Sequence, residues 1–229
     1  MKIGGLQRVS LIDYPGLICA IIFLQGCNFK CSYCHNPELV DPSLFRSSIK
    51  ESDVMEFLDT RKGKLDAVTI TGGEPTIQGE LPDFIRQIKK MGFAVKLDTN
   101  GSRPEVINNL VAEKLLDYIA MDIKAPLDKY KEVVNTNVNQ DSIKESINLI
   151  LKAKSPYEFR TTVVESQLEE NDILQIGKMI AGASRYVLQN FVPSKTLDKR
   201  FLKEKSYPEE KLQQIKNRLE HQIASVTIR

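Results

Sequence analysis

Residues 17–24 (LICAIIFL) pass through Gln25 directly into residues 26–34 (GCNFKCSYC), so an unbroken apolar run stops at three thiols. Eight consecutive apolar residues are the pattern of a strand buried on both faces, as a parallel sheet covered by helices requires. Cys27, Cys31 and Cys34 follow with the spacing C-x3-C-x2-C. Three thiolates on one short loop are a poor set for a structural metal, which is closed by four ligands. They are a good set for an incomplete iron–sulfur cluster. A [4Fe–4S] cube ordinarily takes four thiolates; with three, one iron keeps an open position, and open positions are where metal sites do chemistry. Zinc is the competing reading. His35 is adjacent to Cys34 and can hardly complete the same tetrahedron, and Cys19 lies inside the expected strand, where it packs as a small hydrophobe.

The rest of the chain repeats the alternation that begins here. Further strands are expected over 67–71, 93–97, 118–123, 158–164, 185–191 and 224–228. Helices are expected over 53–60 (with Ser52 as N-cap), 81–91 (ended by Gly92), 104–116, 141–154, 171–180 and 209–221. Strand–helix alternation at this spacing argues for a parallel sheet with helices outside it. Six good strand–helix units fall short of the eight of a closed barrel. The expected fold is α/β: an open, partial (β/α)6 barrel of parallel strands, with the cluster loop after the first strand. One domain is expected over 1–229, with a loop–helix–strand extension from about 193. Residues 36–52 read as a polar loop and 193–208 as a charged, flexible one; the charged run 195–205 is most simply a solvated surface.

Composition narrows the classes. A chain of 229 residues with 41% hydrophobic content can bury a sizeable core, and a net charge of +2 gives no nucleic-acid footprint. No 18-residue apolar run is present, so no membrane span is expected. The apolar segment near residue 20 follows Asp13, Tyr14 and Pro15 and reads as a core strand, not a leader. Four cysteines, three of them crowded, are not a disulfide framework. They predict a reducing, cytoplasmic setting.

In α/β sheets, ligands bind at the carboxyl ends of the strands. The first strand ends at the cysteines, the second at Gly72-Gly73-Glu74-Pro75, the third at Asp98-Thr99-Asn100-Gly101 and the fourth at Asp122-Ile123-Lys124. Each motif has a plainer reading. Gly-Gly-Glu-Pro and Asp-Thr-Asn-Gly are turn-prone sequences, and Asp122 with Lys124 could be a simple ion pair. Their convergence on one rim carries more weight than any one of them.

Taken together these residues resemble the radical S-adenosylmethionine superfamily. Cys27, Cys31 and Cys34, with Tyr33 before the third, look like its cluster loop, and Gly72 to Pro75 look like its motif for the methionine end of the cofactor. The resemblance spans about residues 8–192. It implies one [4Fe–4S] cluster on three cysteines, and S-adenosylmethionine chelating the fourth iron by its amine and carboxylate. It further implies reductive cleavage to a 5′-deoxyadenosyl radical that abstracts hydrogen from a substrate. Small residues at Gly72 and Gly73 let backbone approach the cofactor, Glu74 accepts from its amine, and Tyr33 lies beside its adenine.

A narrower resemblance is to the activating enzymes of glycyl-radical enzymes. Residues 5–16 (GLQRVSLIDYPG) and Cys34-His35-Asn36-Pro37-Glu38 are most similar to anaerobic ribonucleoside-triphosphate reductase activating proteins. Leu97 to Gly101 and Asp122-Ile123-Lys124 are shared with pyruvate formate-lyase activating enzymes. The resemblance implies that Asp122 and Lys124 contact the cofactor, that Asp98, Thr99 and Asp122 hold a monovalent cation, and that Arg160 faces the same cavity. The implied partners are a glycyl-radical enzyme as protein substrate and a flavodoxin or ferredoxin as electron donor, since no second cysteine cluster follows Cys34. Pyruvate formate-lyase activators place a histidine after their last strand where this chain has Phe191-Val192-Pro193, which points away from that target. A radical enzyme acting on a small molecule such as a deazapurine precursor is the first alternative, and a non-catalytic metal-binding protein with the same loop is the second.

Overall fold

The computed structural model describes all 229 residues. Eight strands form one open sheet in chain order: β1 (Ile3–Ser10), β2 (Cys19–Leu24), β3 (Ala67–Gly72), β4 (Ala94–Thr99), β5 (Tyr118–Asp122), β6 (Tyr157–Val163), β7 (Tyr186–Asn190) and β8 (Val226–Ile228). Strands β2 to β8 are all parallel to their neighbours. Strand β1 runs antiparallel to β2 and forms one edge, β8 forms the other, and the two edges do not pair. The open partial barrel is therefore the observed architecture: β8 is the closing strand expected over 224–228, and β1 is one strand more than expected. Strand β1 escaped notice because Gly4, Gly5, Gln7 and Arg8 break any regular alternation. The helices are α1 (Pro37–Val40), α2 (Glu51–Asp59), α3 (Leu81–Lys90), α4 (Pro104–Ala112), α5 (Tyr130–Val134), α6 (Gln140–Leu151), α7 (Glu170–Met179) and α8 (Glu209–Leu219). No helix is long and apolar enough to cross a membrane.

The apolar run of β2 divides by parity, as a two-sided strand must. Ala20, Ile22 and Leu24 join the large core between sheet and helices, while Cys19 and Ile21 face inward with Tyr14, Ala67, Tyr118 and Ala120. Cys19 is thus packed as expected, with Thr69 Oγ1 3.6 Å from its sulfur. Helix α3 shows why the outer layer forms: Leu81, Phe84, Ile85 and Ile88 recur at helical spacing and are all buried. Asp83 in its first turn and Lys89 and Lys90 in its last complement the helix dipole.

Three local expectations are corrected. Helix α2 starts at Glu51 with Lys50 as N-cap, because the Ser52 hydroxyl donates to Asp53 and does not cap the backbone. The polar loop over 36–52 contains α1 and a 3₁₀ turn at Pro42–Leu44. Residues 193–208 are not a free loop. Leu197 N donates to Cys34 O at 3.1 Å and Asp198 N to Ser32 O at 3.0 Å, while Lys195 pairs with Glu38 at 2.6 Å. Backbone bonding to the cysteine loop, invisible in the charged composition, fixes this segment as a strap.

Where β3 ends, its backbone crosses the end of β2. Gly73 N donates to Leu24 O and Glu74 N to Gly26 O, both at 2.8 Å. A Cβ on Gly73 would lie 1.9 Å from Gly26 O, and Gly72, at φ +117°, could carry none without striking Leu24 N. Gly73→Ala should therefore lower the thermal midpoint of the apo chain by about 5–10 °C, the scale of a few kcal/mol in a chain this size. Differential scanning calorimetry checks this; an unchanged midpoint means that the two strand exits are not locked together.

Candidate active site

One cavity of about 450 Å³ opens at the carboxyl ends of the strands. All twelve residues singled out in the sequence line it: Cys27, Cys31, Tyr33, Cys34, Gly72, Gly73, Glu74, Asp98, Thr99, Asp122, Lys124 and Arg160. None lies elsewhere. The sequence missed others in the same wall, among them Asp13, Thr162, Gln189 and Asn190, and it missed Lys96, which pairs with the lining residue Asp98 from the same inward face of β4. Thr162, Gln189 and Asn190 sit at the ends of β6 and β7, where the rule applied to the first four strand ends would have found them. Asp13 comes from the β1–β2 connection, for which that rule gives no signal.

The cysteine loop is held from several sides. Asn100 Nδ2 donates to Asn28 Oδ1 at 2.9 Å, and Asn28 Nδ2 donates to Ser102 Oγ at 2.8 Å, which ties the loop to the exit of β4. Lys30 N donates to Val134 O at 2.9 Å, and Asn135 Nδ2 donates to Ser32 Oγ at 2.8 Å, which ties it to α5. His35 acts as a brace: its Nε2 lies 2.8 Å from Val192 O and its ring stacks on Phe191 with centroids 5.3 Å apart. Phe191 also meets Tyr33 edge-on at 6.4 Å.

Burial pushes the thiols up, Cys27 to about 12 and Cys31 to about 11, and Cys34 in the same direction; Lys124 opposes the shift at all three. Only a strong Lewis acid would displace those protons, as metal loading does. No three His, Cys, Asp or Glu side chains converge closely enough to hold one metal ion. In an iron–sulfur cube each thiolate has its own iron, so three cysteines need not converge on one ion.

Glu74 is engaged within the protein. It is 1% exposed, and its carboxylate already accepts from Thr76 N at 3.1 Å, the Thr76 hydroxyl, Thr99 Oγ1 at 2.7 Å and Asn100 N at 2.6 Å. Burial raises its pKa in spite of these donors. Three of these donors reach Oε1, and Oε2 accepts only from Asn100 N. Glu74 ties the exit of β3 to that of β4.

Beside it runs a partly buried chain of alternating charge. Lys96, 3% exposed, pairs with Asp98; Asp98 meets Arg160 at 3.2 Å; Arg160 meets Asp122 at 2.8 Å; and Asp122 meets Lys124 at 3.0 Å. Lys124 Nζ then stands 5.9 Å from the centroid of the Tyr33 ring. Asp98, Thr99 and Asp122, the residues expected to share a monovalent cation, all have partners within the protein. The protein's own Lys96, Arg160 and Lys124 supply countercharge to Asp98 and Asp122, and the Thr99 hydroxyl goes to Glu74. Three cations against two carboxylates leave one net positive charge beside the cysteines. That charge suits an anionic cluster and a ligand carboxylate. The buried Tyr33 hydroxyl faces this wall with no well-formed hydrogen bond.

A sequence model described as the radical SAM superfamily matches residues 21–176. The chain belongs to the radical SAM superfamily. Radical SAM enzymes use a [4Fe–4S] cluster and S-adenosylmethionine, and the wall just described fits both. A Methanocaldococcus jannaschii protein, named provisionally as a glycyl-radical enzyme activating enzyme, is 38% identical over 99% of this chain and 95% of its own length. The pyruvate formate-lyase 1-activating enzyme of Escherichia coli K12 is 33% identical over 56% of this chain and 54% of its own. The radical SAM fold also matches the crystal structure of Streptococcus suis SuiB bound to precursor peptide SuiA. There the TM-score is 0.70 at 14% identity, covering 91% of this chain and 48% of that one.

The charge chain makes the stability of this radical SAM chain depend on pH. Burial alone would raise the Asp122 and Asp98 carboxyls, but Arg160 first, then Lys124 or Lys96, hold both below the usual carboxylate range. A depressed carboxyl contributes stability above its unfolded value, about 3.9, and loses it as pH falls through the folded one. Arg160→Met leaves two partly buried carboxylates each with one cation fewer, Lys96 or Lys124 remaining, at a cost of about 2–3 kcal/mol. Acid titration followed by circular dichroism should show its unfolding limb beginning at higher pH than in the wild type. Coincident limbs would mean that Arg160 does not set these carboxyls.

Proposed function

We propose that this enzyme is a radical S-adenosylmethionine activase that installs a glycyl radical on a partner enzyme, the anaerobic ribonucleoside-triphosphate reductase. The observation that carries the reading is the match of 38% identity along essentially the whole chain to the archaeal activating-enzyme relative. Choice of the reductase rests on residues 5–16 and Cys34 to Glu38, and on Phe191 standing where a pyruvate formate-lyase activator has histidine. Here Phe191 is engaged with His35 and Tyr33.

In this reading Cys27, Cys31 and Cys34 hold one [4Fe–4S] cluster, and Gly72 and Gly73 give the bare backbone strip on which the methionine end of the cofactor lies. When bound and reduced, the cluster would supply one-electron cleavage of S-adenosylmethionine, the chemistry needed for hydrogen abstraction at the partner's glycine. Lys124 and Arg160 hold ligand carboxylate and neutralise the cluster's charge. Tyr33 lies beside the adenine, and its free hydroxyl is available to the ligand. Asp98 and Asp122 keep the two cations in place, and Glu74 with Thr99 fixes the rim. No side chain is asked to act as a general acid or base. The electron comes from a flavodoxin or ferredoxin, and the setting is the cytoplasm.

A small-molecule reading has one observation in its favour. The 7-carboxy-7-deazaguanine synthase of Methanothermobacter thermautotrophicus is 33% identical over 54% of this chain. Anaerobic reconstitution with iron and sulfide separates the readings. The reduced protein should cleave S-adenosylmethionine, and with the reductase it should give a glycyl radical signal by electron paramagnetic resonance. Cys27→Ser, Cys31→Ser and Cys34→Ser should each abolish both. Cleavage that turns over a deazapurine precursor but leaves every glycyl-radical enzyme uncharged would overturn the activase.

A further inference from the structure

Lysine ordinarily carries its ammonium to water and buries only its stem. Lys96 does the reverse. It is 3% exposed, and the one partner of its ammonium is the Asp98 carboxylate. Strand register sets it between Thr69 on β3 and Tyr118 on β5, both buried, and Tyr118 belongs to the small inward cluster with Tyr14 and Cys19. Lys96 is not in the lining of the reaction cavity, whereas Asp98, Arg160, Asp122 and Lys124 all are. A buried ion pair is a weak source of stability, so what Lys96 contributes to the wall is charge.

The placement of that charge has a consequence for the ligand. Arg160 bridges the two carboxylates, with Nη1 3.2 Å from Asp98 Oδ2 and Nε 2.8 Å from Asp122 Oδ1. The guanidinium thus stands where a metal ion shared by Asp98 and Asp122 would have to lie. Lys124 gives Asp122 a second cation at 3.0 Å, and Lys96 gives Asp98 its second. Without Lys96, the two carboxylates would balance Arg160 and Lys124 and leave no charge for a ligand carboxylate. With it the wall is positive by one, and a further cation would meet net repulsion. We propose that Lys96 is a built-in counter-cation: its ammonium fills the place on Asp98 that a monovalent metal ion would otherwise take, which frees Arg160 and Lys124 for the cofactor carboxylate. The cofactor site then works without sodium or potassium. Lys96 acts through Asp98 and is a positioning residue. Its role rests on the radical SAM site and is the same whichever protein receives the radical.

The test follows the thermal midpoint of the full chain, before and after anaerobic reconstitution, in potassium, sodium or tetramethylammonium chloride at equal ionic strength. Tetramethylammonium screens charge but is too bulky to sit on a carboxylate among side chains. The wild type should melt at one temperature in all three salts and show no saturable thallium(I) binding. Lys96→Ala should melt about 5 °C lower in tetramethylammonium. It should recover saturably with potassium or sodium, since an ion that binds only the folded chain stabilises it. Asp98→Asn added to Lys96→Ala should erase the recovery, and Lys96→Arg should need none. In the reconstituted enzyme, Lys96→Ala should raise the KM for S-adenosylmethionine about tenfold with kcat little changed, and potassium should reverse the rise. A wild type stabilised by potassium or sodium over tetramethylammonium, through an effect lost in Asp98→Asn, means that a metal ion shares the site and overturns the proposal. A folded Lys96→Ala that melts lower yet ignores the ion makes the lysine a structural pair only, and overturns it as well. If Lys96→Ala folds in no salt, the closer isostere Lys96→Gln carries the same expectations. The melting curves need neither cleavage nor a partner, so their outcome and that of the activase reading are decided separately.

Discussion

The site depends on a buried carboxylate that has no cation beside it. Glu74 is stabilised by neutral donors alone: the hydroxyls of Thr76 and Thr99 and the backbone N–H groups of Thr76 and Asn100. An ionised carboxylate out of water is tolerated only when such donors are fixed in advance. They are fixed because two strand exits bring them there, and those exits meet because Gly72 and Gly73 let β3 press on the backbone of Leu24 and Gly26. The order of causes runs from absent side chains, to crossed backbones, to a satisfied carboxylate, to a cysteine loop with one available path.

The charged wall obeys a different logic. Lys96, Asp98, Arg160, Asp122 and Lys124 are drawn from three neighbouring strand ends, and each carboxylate lies between two cations. A buried ion pair is a weak source of stability, since desolvation offsets most of the attraction. What the chain of charges provides is position. Arg160 is anchored at two points and Lys124 is directed along the Tyr33 ring, so the surplus positive charge stays beside the thiols before any ligand arrives. Arranging those dipoles and charges during folding is the form of electrostatic preparation that active sites exploit.

Much of this was legible in the sequence, and the reason is parity. Strand ends in a parallel barrel share one face, so motifs found separately at residues 27–34, 72–75, 98–101 and 122–124 had to meet, and they do. Local patterns failed where long-range backbone bonds decide the outcome. Strand β1, with Gly4 and Gly5, exists because β2 offers it an edge, and the strap at 193–208 exists because Cys34 O and Ser32 O accept from it. Sequence also could not foresee that Glu74 is already satisfied, because Thr99 and Asn100 are 25 and 26 residues away. Lys96 was overlooked for a simpler reason. A lysine in a strand is ordinarily read as facing water, yet two-residue periodicity puts Lys96 on the same inward face as Asp98.

Rigidity and access are divided across the barrel. On the cofactor side the cysteine loop is bonded to the exits of β3 and β4, to α5 and to the strap after β7. On the opposite side the sheet has two unpaired edges, and β8 is three residues long. A reaction that generates a radical needs the first arrangement, because fixed donors cost no reorganisation when charge moves. A reaction whose substrate is itself a protein needs the second, because a closed barrel would exclude a loop carried on a folded partner. The same sheet meets both demands by stopping short of closure. A protein substrate would then complete the wall, and the exclusion of water on the open side would fall to it and not to the barrel alone.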